Sequence, residues 1–390
     1  MERLRLALLG FGVVGSGVYE MLQIPPYDQL VSVERIFVRH PDKDRGDVPA
    51  RLFTDRIDDI FASGRVDVIV EAMGGVDPAR AMITRALKER IHVITANKEV
   101  VDHDFYAFVS LAQKQGVAFL FEASVVAGVP VISSLVELVD SDRIKLIEGI
   151  LNGATNDVLT RVRAGSTFSE AIQRAREQGF LEADPRDDLA GFDALRKIMI
   201  MARIASQREI DRTSVERIAL SEATPRTIAF LRSRNWCLKQ VARALFAEDR
   251  ASISVEPMVL EDASLLGSVE HENNAVIIET EKRGRLVMIG KGAGKRTTAA
   301  AMVNDLMLIA RNRYYVIENR RQDAPLKNRA SPMSASYLLE VDDVDASSSI
   351  ARAIHGHFII TKPIVREVLD KHEHNIIFQT RIYKKKKVRP

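Results

Sequence analysis

Short apolar runs alternate with amphipathic stretches along the first third of the chain. Leu4 to Leu9 (LRLALL) is an apolar run that stops at Gly10, and helix-forming residues continue from Ser16 through Leu22. Val31 to Val38 and Val66 to Val70 (VDVIV) read as further strands, the latter followed by a helix from Pro78 to Arg90. Ile91 to Thr95 (IHVIT) reads as another strand, ending at Ala96-Asn97-Lys98. Buried strands alternating with helices predict a parallel, doubly wound sheet with ligands at the strands' C-terminal ends. Gly74-Gly75 and Asn97-Lys98 fall at such ends. A helix follows from Thr297 to Arg311 and is expected to return to the first sheet. The stretch Asn312 to Ser331 is charged, lacks periodicity and reads as a linker. Beyond it the pattern predicts a strand (Ala335 to Val341), a helix (Ser347 to His355) and two strands (Phe358 to Ile364, Asn375 to Arg381).

Between the first run and the first helix stands Gly10-Phe11-Gly12-Val13-Val14-Gly15. This is the strand–turn–helix setting of a dinucleotide fingerprint. Gly10 permits the tight turn, Gly12 lets backbone approach a pyrophosphate, and Gly15 lets the helix lie on the strand. The helix N-terminus supplies free amides and positive dipole. Where the second strand stops, Arg39 and His40 appear with no acid immediately after, which favours a 2′-phosphate and hence NADP over NAD.

A second chemical signal is the acidic stretch EADPRDDLAGFDALRK, from Glu182 to Lys197, which runs into the apolar IMIMARIA. Asp193 and Lys197 are spaced i, i+4 and share a face of any helix that begins near Gly191. Carboxylates leading to such a pair suit the binding of an ammonium group and the movement of a proton. A solvated loop with a surface ion pair is the competing reading of this segment alone.

At 390 residues, with a net charge of +3, the chain allows two or three domains and has no global field directed at nucleic acid or membrane. The lysine run 384–387 reads as a solvated tail. A single cysteine, Cys237, rules out an intramolecular disulfide and fits a reducing, cytoplasmic setting. Trp236 and Cys237 are expected to pack in the middle domain. No apolar run is long enough to span a bilayer. His355 with His357 and His372 with His374 read as strand or loop faces, not as a metal site.

Four motifs follow the glycine turn in order: TANKEVV (Thr95 to Val101), FEASVVAGVP (Phe121 to Pro130), GILNGATNDVLT (Gly149 to Thr160) and the acidic stretch ending in Lys197. With GKGAG at Gly290 to Gly294, they resemble the homoserine dehydrogenase family over roughly residues 4 to 310. That resemblance implies NAD(P)H-dependent interconversion of L-aspartate 4-semialdehyde and L-homoserine. It implies Lys197 as proton donor to the aldehyde oxygen, Asp193 as its orienting partner and Lys98 between nicotinamide and substrate. Glu182 and Asp188 would hold the substrate ammonium, and the Gly153 backbone would contact substrate. Cofactor would lie on Gly10, Phe11, Gly12, Val13, Val14, Gly15, Arg39, Gly74, Lys98 and Gly294. Glu122 with the carbonyls of Val125, Ala127 and Val129 matches a loop for a structural Na⁺ ion. A homodimer or higher assembly is implied.

The chain departs from the family pattern at four places. Val126 replaces a glycine and, being β-branched, is expected to lack access to positive φ. Ala154 replaces a threonine, Asp157 a tyrosine and Lys291 a proline, which leaves open a paralogue acting on a related amino-acid aldehyde. A catalytically dead, NADP(H)-binding regulator is the third reading, against which retention of both lysines argues. The expected architecture is α/β: a Rossmann-type domain (1–132, with return helix 297–311), an α+β substrate and dimerisation domain (133–296), and a small ferredoxin-like segment (332–390). This last part resembles an ACT domain without its effector-binding turn and truncated before a last helix and strand.

Overall fold

The computed structural model describes the chain except residues 1–2, 62–65, 182–184, 214, 249, 319–325, 329–334, 365 and 384–390. Glu182 and the terminal lysines therefore lie outside the described residues. Six strands form a parallel sheet in the order Phe53–Thr54, Val31–Phe37, Leu4–Leu9, Val68–Glu71, His92–Thr95, Phe119–Leu120. The order of connection across the sheet reverses between Leu4–Leu9 and Val68–Glu71. That switch point is where an open α/β sheet leaves a crevice for a ligand. The all-apolar runs are the strands, because both faces of the sheet are covered. The return helix, Lys295–Ala310, lies against helix Val13–Leu22. Gly17 makes room for it, since a Cβ there would stand 3.2 Å from the Ala299 methyl.

The second sheet has eleven strands among the described residues. At its centre, Ile144–Ile150 lies antiparallel to both Trp236–Ala247 and Asn273–Thr280. Each of these two strands belongs to a hairpin, with Arg250–Glu261 and Arg285–Lys291 respectively. Helix Phe192–Ser206 lies against this sheet, with Ile198, Met199 and Met201 buried in the shared core. Cys237 is buried in the same sheet.

The C-terminal segment departs from its expected form. In place of a helix over Ser347 to His355, a short 3-10 turn, Asp345–Ile350, gives way to strand Ala351–His355. Serines 347–349 compete for backbone bonds and do not propagate a helix. A helix Arg366–Asp370 and a strand Ile376–Ile382 follow, so the last helix and strand are present. The four strands lie in the order fourth, first, third, second: Ile376–Ile382, Tyr337–Val341, Phe358–Thr361, Ala351–His355. The fourth also pairs in parallel with Arg250–Glu261 through Met258 and Val259, which fuses the segment to the middle sheet. Lys327 and Asn328, inside the expected linker, pair with Arg250 and Ala251.

Candidate active site

Helix Lys98–Gln115 starts directly after strand His92–Thr95, so its first residue sits at the C-terminal edge of the parallel sheet. Asn97 caps it, its side-chain oxygen accepting the amides of Glu99 and Val100. Helix Phe192–Ser206 starts at Gly191, whose φ of +80° turns the chain from the acidic loop into the helix. The two helices bring Lys98 and Asp193 together across the junction of the two halves. Lys98 Nζ lies 2.8 Å from Asp193 Oδ1, and Lys197 Nζ lies 2.7 Å from Asp193 Oδ2. Lys197 also donates to the Leu151 carbonyl at 2.7 Å. An ammonium has three N–H donors, so among the described residues one remains for a ligand oxygen.

Asn152 completes the cluster. Its amide nitrogen donates to Asp188 at 2.7 Å and to Asp193 at 2.9 Å, while its oxygen caps helix Gly153–Ala164. Gly153 follows it, and a Cβ there would come within 2.4 Å of the Glu272 carbonyl, so only glycine fits. Thus the structure brings Lys98, Asp188, Asp193 and Lys197 together, with Gly153 beside them at the start of its helix. Asn152 joins them without having been singled out by the motifs, although an Asn directly before a helix is a readable cap signal.

Burial pushes the Lys197 ammonium below the usual lysine range, with Asp193 pulling it back and Lys98 adding to the fall. Lys98 moves the other way, raised chiefly by the Asp193 charge. Burial alone would raise Asp193, but the two lysines outweigh it and hold the carboxyl well below the usual range. Asp188 is raised by burial first and by Asp193 second.

The crevice at the switch point fits a dinucleotide. A Cβ at Gly10 would meet the Ala72 carbonyl at 2.8 Å, and one at Gly15 the Gly10 carbonyl at 2.2 Å, so fold packing demands both glycines. A Cβ at Gly12 would meet nothing within 4 Å, which leaves that glycine facing open space where a pyrophosphate would lie. Helix Val13–Leu22 has neither a side-chain cap bond nor an acid in its first turn, so no side chain of that turn competes with an anion there. Gly74 has φ +83° and also faces open space. Phe11 lies edge-on to Tyr19 and Phe53, Val14 is half-buried, and Arg39 is exposed. Gly294, at φ +124°, opens the return helix.

The loop Glu122–Val129 differs from expectation. Val126 adopts φ +47° despite its branched side chain, and its carbonyl accepts the Val129 amide at 2.8 Å. That conformation costs about 1–2 kcal/mol, and burial of the side chain offsets it by about 1.5–3 kcal/mol because Val126 is only 1% exposed. Ala127 and Gly128 donate to the carbonyls of Gly292 and Lys291, zipping the loop to GKGAG. Lys291 itself turns outward to Glu272 at 3.3 Å. The Glu122 carboxylate accepts the amides of Ile132 and Ser133 at 2.7 and 2.9 Å, so it serves as the cap of helix Val131–Val139. The Val129 carbonyl accepts the Val131 amide. Glu122 and the Val129 carbonyl thus also serve as acceptors for amides at the start of the following helix. Of the other departures, Ala154 is half-buried at the helix start, and Asp157 pairs with Arg161 at 2.6 Å.

A dinucleotide crevice beside a buried lysine that can exchange a proton defines an NAD(P)-dependent oxidoreductase. Comparison with known proteins narrows the class: residues 10–122 match the homoserine dehydrogenase NAD-binding domain, and residues 130–307 match the homoserine dehydrogenase domain. The chain is 31% identical over 389 residues to the homoserine dehydrogenase of Bacillus subtilis, covering 96% of this chain and 90% of that one. A solved homoserine dehydrogenase from Thiobacillus denitrificans superposes with a TM-score of 0.88 at 25% identity, covering 98% and 99% of the two chains. A hyperthermophilic archaeal homoserine dehydrogenase in complex with NADPH gives a TM-score of 0.69 at 26% identity, covering 81% of this chain and all of that one. The chain belongs to the homoserine dehydrogenase family. Among the described residues, no helix is long and apolar enough to cross a membrane.

Proposed function

We propose that this chain reduces L-aspartate 4-semialdehyde to L-homoserine, reversibly, in the threonine and methionine branch of biosynthesis. The observation that supports it most is the buried lysine–aspartate–lysine cluster beside the dinucleotide crevice. Gly10 to Gly15 with the following helix would hold the pyrophosphate, and Gly74 and Lys98 would border the nicotinamide. Bound NAD(P)H supplies the hydride. Charge that develops on the aldehyde oxygen is met by the Lys197 ammonium, whose free N–H delivers the proton. Asp193 fixes both lysines by sharing its two oxygens between them. Asp188, held by Asn152, faces the same space and pairs with the substrate ammonium, with Glu182 assigned to the same task. Following NADPH loss with L-aspartate 4-semialdehyde for wild type and Lys197→Ala tests this. Equal slow rates would sink the catalytic assignment, and fast turnover on a different aldehyde alone would favour the paralogue.

Cofactor preference is proposed as NADP, supported by exposed Arg39 after the second strand and no acid immediately beside it. Arg39→Ala should raise the KM for NADPH about tenfold, the worth of one charge-assisted pair, and leave NADH unchanged; equal effects on both would favour NAD. The Glu122 loop is proposed to be braced by its own hydrogen bonds, so replacing Na⁺ by K⁺ or tetramethylammonium should leave the rate unchanged. We read the assembly as a homodimer or higher, supported by Val287 and Ile289 exposed at 39% and 56% on the outer strand. A monomer by light scattering would reject it. The C-terminal strands are read as an ACT-like remnant whose role is structural, and L-threonine should not slow turnover.

A further inference from the structure

Glu71 ends strand Val68–Glu71 and is wholly buried, and its described bonding partners are dipoles. Its Oε1 accepts the Met73 amide at 2.7 Å and its Oε2 accepts the Thr95 hydroxyl at 2.5 Å. Burying a carboxylate on dipoles alone is an expensive way to close a strand end, where an apolar side chain would serve the fold. What it achieves lies further along the bonds. Thr95, committed as donor to Glu71, accepts the Asn97 amide at 2.9 Å. The Asn97 side chain then donates to the Gly75 carbonyl at 2.6 Å while capping the helix that begins with Lys98. One carboxylate thus ties together the turn Ala72–Gly75 and the turn Thr95–Asn97, at the ends of two adjacent parallel strands. The first turn faces the crevice through Gly74, and the second aims Lys98 at Asp193.

The geometry points to Glu71 as a positioning residue for hydride transfer: through Thr95 and Asn97 it fixes the Gly74–Gly75 turn and the Lys98 ammonium relative to one another. It touches neither substrate nor cofactor. This inference rests on the placement of Lys98 between nicotinamide and substrate proposed above.

A double-mutant cycle on the full-length protein tests it, using Glu71→Gln, Lys98→Ala and the pair, with NADPH and L-aspartate 4-semialdehyde. Glu71→Gln keeps the shape but puts an amide where two donors need acceptors. It should lower kcat about 10- to 100-fold, the usual reach of groups that orient a reacting one, with KM for both substrates changed less than about threefold. In the Lys98→Ala background the same change should cost less than about threefold, because Glu71 acts through Lys98. Thr95→Val cuts the same path one bond later and should repeat the pattern, and it stands in for Glu71→Gln if that variant does not fold. An equal loss of kcat with and without Lys98 overturns the inference, as does an unchanged kcat in Glu71→Gln. Wild-type turnover by Lys98→Ala alone would instead reject the placement of Lys98.

Discussion

Lys98 and Lys197 approach one carboxylate from opposite sides of the junction, and their proton affinities move in opposite directions. Lys98 belongs to the dinucleotide half, with 35% of its side chain exposed, and Asp193 raises its pKa. Lys197 belongs to the middle sheet's helix, with 10% exposed, and burial lowers its pKa even though Asp193 is just as near. With the counter-ion shared, solvent access makes the difference. A group that must release a proton during the reaction belongs where its charge is costly to keep. A group that must remain a fixed positive charge belongs where water still helps to hold it.

The largest effect should come from breaking the buried side of that comparison. Lys197→Met removes the proposed proton donor and should lower kcat by about a thousandfold, within the range known for general acids, while NADPH binding followed by fluorescence stays intact. The neighbouring side chains on the same helix, Ala194 and Ile198, are apolar core residues and carry no proton to replace it. Lys98→Ala should cost less, about 10- to 100-fold, as removal of an orienting charge. Equal losses for the two variants would erase the distinction between proton donor and fixed charge.

Acidity gives the next test, with a sign that differs by direction. With Lys197 as the proposed donor, reduction needs it protonated, so the rate should fall as pH rises through the lowered lysine pKa. Oxidation of homoserine needs Lys197 neutral, so its rate should rise over that same window. Lys98, with its pKa raised, stays charged throughout. On the acid side, Asp188 in its proposed role must be ionised to hold the ammonium, and its raised pKa brings that limb above the usual aspartate range. Asn152→Ala removes the donor that favours the Asp188 carboxylate and should shift the acid limb further up. Matching alkaline limbs for reduction and oxidation would show that Lys197 is not the titrating donor.

What could be read in the sequence divides along physical lines. The apolar runs Leu4 to Leu9 and Ile91 to Thr95 became strands because a covered parallel sheet asks little more than hydrophobicity. Asp193 and Lys197 were legible because helix spacing alone places them together. Glu71 was not, and Asn152 was legible only as a helix cap, since each acts by joining loops that the topology brings together from distant parts of the chain. Val126 misled for a different reason: a local steric rule lost to burial and to the pairing of the next two residues with Gly292 and Lys291. The C-terminal strand order could not be read either, because short strands and a six-residue 3-10 turn leave little periodicity to follow.

The smallest effect is also the finest test of the comparison, because it changes shape while keeping charge. Lys98→Arg preserves a cation near Asp193 on a side chain that still reaches water, and its planar group can bridge the same carboxylate. If Lys98 acts only as a fixed charge, kcat should fall by no more than about tenfold, the order of one imperfectly placed charge-assisted bond, and the pH profile should keep its limbs. The same change at Lys197 places a guanidinium, which does not give up its proton in this pH range, in a space closed by Asp193 and the Leu151 carbonyl. Its loss should approach that of Lys197→Met. Should the two arginine variants fall together, Lys98 also exchanges a proton during turnover, and the contrast in burial would then tune two donors rather than separate a donor from a charge.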